Sequence, residues 1–129
     1  VRLPSATALE QYVAREIQKA IADGLPAASI AVLSLGGQLK TELCTRDRIG
    51  DVPVRRADAD GADDHVIADT FLRFKGLERP LVLVVELDRG RHRYDVRMHV
   101  ALTRATVRAV VLATKEELDS DPRLVAASV

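Results

Sequence analysis

Leu81-Val82-Leu83-Val84-Val85-Glu86-Leu87 is the most apolar run of the chain. A strand in which nearly every side chain is aliphatic has no face to turn to water, so this one belongs at the centre of a sheet covered on both sides. Outward from it, Ser29-Ile30-Ala31-Val32-Leu33-Ser34-Leu35 is a second β-branched and aliphatic run, too short for a stable helix and broken by Gly36-Gly37. Residues 51–56, 66–71 and 107–113 supply further strands. Helical patterns stand between them. Leu9, Val13, Ile17, Ala20 and Ile21 follow helical spacing after a cap at Ser5 or Thr7, and Gly24 with Pro26 stops the helix. Another helix is expected through Cys44, a helical turn opens at Lys75-Gly76-Leu77-Glu78 until Pro80 cuts it short, and a last helix covers residues 94–106. Residues 57–64 form an acidic, turn-rich connection and residues 88–93 a basic loop. Strands alternating with helices predict an α/β domain with a mainly parallel sheet and right-handed crossovers, which puts ligands at the carboxyl ends of the strands.

With 129 residues and no internal repeat the chain reads as one domain, large enough to bury about two-thirds of the surface its unfolded form exposes. Its lone cysteine, Cys44, leaves no internal disulfide. No apolar run approaches the ~18 residues of a membrane span and the start is not signal-like, so a soluble, cytoplasmic setting without a membrane partner is expected. Formal charge is zero, from 19 basic and 19 acidic residues, so the field that would draw a polyanion onto the domain is absent and its own affinity for DNA should be weak. Arginines far outnumber lysines, and a guanidinium can grip phosphate at two points. Tyr12, Tyr94, Phe71 and Phe74 are the only aromatics, too few for a platform that stacks single-stranded bases. His65, His92 and His99 lack zinc-ligand spacing, so no metal site is expected in the chain itself. A stand-alone small-molecule enzyme lacks support, since the sequence has no nucleophile elbow and no dinucleotide glycine fingerprint.

Chemistry concentrates in Thr70-Phe71-Leu72-Arg73-Phe74-Lys75-Gly76-Leu77-Glu78 and in Val100-Ala101-Leu102-Thr103-Arg104-Ala105. In the first, a glycine lets the backbone approach a phosphate, helix-start amides donate to it, and a carboxylate two residues on accepts hydrogen bonds from sugar hydroxyls. The same residues are also compatible with an ordinary strand-to-helix turn carrying a solvated Lys75 and Glu78. The second alone says less, because a Thr-Arg pair in an amphipathic helix is commonly a surface arginine. Their order, one strand, one loop and one helix apart, is the more specific signal.

That arrangement resembles UvrD/Rep-like superfamily 1 DNA helicases, in which Thr-x-His-x-x-Lys-Gly-Leu-Glu is followed by Tyr-Val-Ala-Leu-Thr-Arg-Ala. Members of that family open their second motor domain with a helix, an Ile-Ala-Val-Leu strand and another helix, and here residues 9–22 precede Ile30-Ala31-Val32-Leu33. The likeness covers nearly the whole chain. It implies a three-layer RecA-like fold, related to the P-loop NTPases, with helices on both faces. It also implies that residues 1–129 are the C-terminal motor domain of an ATP-dependent helicase or translocase. Nothing reads Gly-x-x-x-x-Gly-Lys-Ser/Thr, so the phosphate-binding loop and most contacts to ATP and Mg2+ would come from an N-terminal motor domain.

Carried over by residue, the resemblance implies that Arg104 is a catalytic arginine finger on the γ-phosphate, that Glu78 holds the ribose, and that Gly76 gives the backbone room beside the nucleotide. Thr70 and Arg73 would meet single-stranded DNA. Alone, the domain should hydrolyse nothing. Leu72 stands where the family usually has histidine, and Ser34-Leu35-Gly36-Gly37 where an aromatic-Arg-Thr-Asn run follows the strand. His99 replaces the tyrosine of the second motif. Both of the first two departures fall on positions that face DNA in the family, which suggests ATP coupling kept and strand contacts altered. The alternative reading is a non-catalytic, degenerate helicase-like domain for protein interaction or nucleotide sensing.

Overall fold

A computed structural model of the chain describes residues 2–3, 6–35, 44, 46–70, 77–87 and 94–114. In chain order these form β1 (Arg2–Leu3), α1 (Ala6–Ala22), β2 (Ile30–Ser34), β3 (Arg48–Ile49), β4 (Val52–Arg55), β5 (Val66–Thr70), β6 (Arg79–Val85), α2 (Tyr94–Leu102), β7 (Ala105–Val111) and β8 (Ala113–Thr114). The main sheet has the order β3-β4-β5-β2-β6-β7. Every pairing from β4 to β7 is parallel, and only the short β3 at the edge runs antiparallel to its neighbour. A separate parallel pair joins β1 to β8. The protein is thus an α/β domain with a mostly parallel sheet.

Side-chain alternation explains how two helices share that sheet. Successive residues of a strand point to opposite faces. Ile30 and Val32 of β2, Val66 and Ala68 of β5, and Leu81, Leu83 and Val85 of β6 join Leu9, Val13 and Ile17 of α1 in one apolar cluster. The residues between them, Ala31, Leu33, Ile67, Val82 and Val84, pack instead with Met98 and Ala101 of α2. Both faces of the central strands are therefore used, which is why those strands read as unbroken apolar runs. Ile17 is fully buried in the α1 cluster. Its replacement by alanine is expected to lower unfolding free energy by about 2–5 kcal/mol, since removed methyl groups leave a cavity that the packed sheet cannot close. Urea titration of the two proteins measures this directly.

Helix α1 ends as its sequence anticipates. Gly24 adopts φ 104°, a left-handed conformation, and the Leu25 and Gly24 amides donate to the Ala20 and Ile21 carbonyls at 3.0 Å each. This is a Schellman closure, and the Ala20 and Leu25 side chains pack against the same core. Ile21, expected on the apolar face, is instead 43% exposed. Near the start of the helix Glu10 accepts a hydrogen bond from the Gly50 amide at 3.4 Å and pairs with Arg46. The hydrogen bond from Arg46 holds the Glu10 carboxyl below its ordinary range, with partial burial opposing it. A depressed carboxylate stabilises the fold above its unfolded pKa, and that contribution disappears as pH falls through the folded value. Glu10→Gln should therefore be less acid-sensitive than the native chain, a difference visible as a smaller drop in melting temperature between neutral pH and pH about 3.

Boundaries differ from expectation at the end of the chain. Helix α2 stops at Leu102, not at residue 106, and β7 begins at Ala105. The Thr103 hydroxyl donates to the Val100 carbonyl at 2.9 Å, the Arg104 amide closes a tight turn on Ala101 at 3.2 Å, and Ala105 then pairs with Arg79. Strand pairing overrides the amphipathic pattern there, helped by β-branched Thr106 and Val107. Leu77 and Glu78 are not helical either. They lead straight into β6, which starts at Arg79 and includes Pro80. Proline disfavours a helical residue before it and lacks a ladder donor. The register accordingly slips: Arg79 faces Ala105 but Leu81 faces Arg108, so β7 carries an extra residue. The helix expected through Cys44, the Lys75-Gly76 part of the helical turn and the 88–93 loop lie outside the described residues, although Cys44 itself is buried.

Candidate functional site at the amino edge of the sheet

The predicted site residues divide between the two ends of the parallel strands. Thr70 closes β5 at the carboxyl edge, level with Ser34 of β2. It is only 2% exposed and sits among buried polar groups. The neighbouring Asp69 carboxylate accepts the Thr70 amide at 2.7 Å and the Ala57 amide at 3.0 Å, tying the acidic connection to the end of the strand. From α2, Arg97 donates to the Leu35 carbonyl at 3.0 Å. Arg73 and Gly76 lie outside the described residues.

Glu78 and Arg104 lie at the opposite, amino edge. Each is the residue immediately before a strand, Glu78 before β6 and Arg104 before β7. Because those strands are parallel neighbours and Arg79 pairs with Ala105, the two lead-ins start side by side. The Arg79 amide donates to the Arg104 carbonyl at 3.0 Å and fixes that adjacency. Neither residue therefore stands at the carboxyl ends of the strands, where the alternation of strands and helices puts ligands. Arg104, expected inside a helix, and Glu78, expected in a helical turn, instead belong to the turn or extended lead-in at the start of a strand.

Between them lies a group the sequence reading did not single out. The Arg79 side chain is 7% exposed and points its guanidinium inward beneath the edge. It donates to the carbonyls of His65 and Ala62 at 2.7 Å, of Ile30 at 2.8 Å and, at the longer distance of 3.4 Å, of Ala27. These carbonyls belong to the turns before β2 and β5 and to the first residue of β2, so one cation gathers the amino ends of three strands. Burial pulls the guanidinium below the usual arginine value, and the charge of Asp63 opposes that shift. The available signal was a lone arginine at the head of an otherwise apolar strand, a position where a charge survives only if it is fully hydrogen-bonded.

Arg104 is different in kind. Its Nη2 reaches the Thr103 hydroxyl at 3.5 Å, and its Nε is buried without an acceptor. Among the described residues it has no carboxylate partner. Glu78 is exposed and, among the described residues, makes no hydrogen bond or ion pair. On neighbouring lead-ins, a guanidinium can hold a phosphate oxygen and a carboxylate can accept from sugar hydroxyls. This donor set does not fit a metal ion, and among the described residues no three His, Cys, Asp or Glu side chains could hold one. Also among the described residues, no helix is long and apolar enough to cross a membrane.

Neither a protein-family model nor a curated protein matches the chain.

Proposed function

We propose that this chain is the second, RecA-like motor domain of an ATP-dependent DNA helicase or translocase of the UvrD/Rep type, with α1 and α2 as outer layers of a three-layer fold. The observation that carries the reading is the adjacency of the Glu78 and Arg104 lead-ins at one edge of the sheet. Two sequence motifs separated by a strand and a helix thereby supply a sugar-binding carboxylate and a phosphate-binding guanidinium within one neighbourhood. In this reading Arg104 offsets charge that develops on the departing phosphoryl group of ATP, Glu78 and Gly76 accommodate the nucleoside end, and Thr70 and Arg73 serve the strand of DNA. Mg2+ and the remaining phosphate contacts come from a partner motor domain, and the protein works in the cytoplasm.

Three observations favour a second reading, a non-catalytic, degenerate helicase-like domain for protein interaction or nucleotide sensing. Thr70 is buried, Leu72 replaces the family's histidine, and the net charge is zero. ATP hydrolysis by the intact protein, measured with and without single-stranded DNA, separates the two. Turnover strongly stimulated by DNA supports the motor, whereas absence of turnover supports the non-catalytic domain. Turnover that DNA leaves unchanged would contradict both.

A further inference from the structure

Resting on that reading of the edge, we infer that Arg79 is the positioning residue that sets Glu78 against Arg104, so that the sugar end and the phosphate end of a nucleoside triphosphate are held by one rigid joint. Arg79 is joined to both residues. It follows Glu78 directly, and its amide holds the Arg104 carbonyl at 3.0 Å. Its own freedom is removed by a guanidinium spread over the carbonyls of Ala27, Ile30, Ala62 and His65. Pro80 removes further slack on the other side, since its ring fixes φ and restricts the Arg79 backbone to extended conformations. The register slip that follows, from Arg79–Ala105 to Leu81–Arg108, confines the regular ladder to residues beyond the joint. At the edge itself, the Arg79–Arg104 backbone hydrogen bond backed by a buried cation therefore sets the spacing of the lead-ins.

A lysine at this position keeps the charge but is a single point of donors on a flexible stem, unable to span carbonyls from separate turns as the planar fork does. The chain can still close over it, while the joint loosens. Misplacement by about 1 Å in a phosphoryl-transfer site costs on the order of 10²-fold in rate. The test is a double-mutant cycle on ATP hydrolysis by the intact protein, using Arg79→Lys, Arg104→Ala and the pair, with rates normalised to the folded fraction from circular dichroism. We expect Arg79→Lys to lower kcat by about 10²-fold in the native background and to add little on top of Arg104→Ala, because its effect passes through the finger. A loss of equal size in both backgrounds, or none in the native one, would overturn the positioning role while leaving the site intact. Should Arg104→Ala alone leave turnover unchanged, the reading of the edge fails, and the positioning role with it.

Discussion

Arg79→Leu should unfold a large part of the molecule's stability margin, lowering the free energy of unfolding by about 3–5 kcal/mol. The reason is the asymmetry of buried hydrogen bonds. An arginine–carbonyl network contributes modestly when complete, but a leucine, shorter and without donors, leaves the Ile30, Ala62 and His65 carbonyls without the groups that now sit at 2.7–2.8 Å. Each buried acceptor left unmade costs about 1–3 kcal/mol, and with partial relaxation the sum falls short of simple addition. Domains of this size are stable by only about 5–15 kcal/mol, so the variant should show a urea midpoint shifted far toward zero. An unchanged midpoint would mean that water or neighbouring amides satisfy those carbonyls as well as the guanidinium does. Arg56 offers an internal comparison: it donates to the carbonyls of Cys44, Arg46 and Ala68, but it is half-buried, so its loss should cost less.

Much of this architecture is readable from residue order, and the parts that are not share a cause. Strands β2, β4 and β5 fall inside the runs expected at 29–35, 51–56 and 66–71, because an aliphatic run between turn residues has few other places to go. Helix α1 follows from the spacing of Leu9, Val13 and Ile17 and from Gly24, whose left-handed φ of 104° is local chemistry. The end of α2 is different. The amphipathic pattern continues to residue 106, and only pairing of Ala105 with Arg79, a partner far away in sequence, converts the chain to strand. The same holds for Arg79: its acceptors lie 14 to 52 residues away, and nothing local announces that they will meet. Glu78 and Arg104 are visible as chemically suggestive residues. That they share an edge, and that this is the amino edge, depends on the parallel pairing of β6 with β7.

In the proposed function Arg104, which has no carboxylate partner among the described residues, is reserved for a phosphate. If so, its removal should separate activity from stability. Arg104→Ala deletes a buried Nε that has no acceptor and a weak 3.5 Å contact to Thr103, so the folded state loses little and melting temperature should barely move. Catalysis should fall steeply, because a guanidinium that offsets developing charge on a transferred phosphoryl group is worth on the order of 10³–10⁵ in rate. The deciding measurement is therefore kcat for ATP hydrolysis by the intact protein, native against Arg104→Ala, with thermal melting recorded on the same samples. A loss of at least about 10³-fold at unchanged melting temperature is the predicted result; turnover equal to that of the native protein would contradict it.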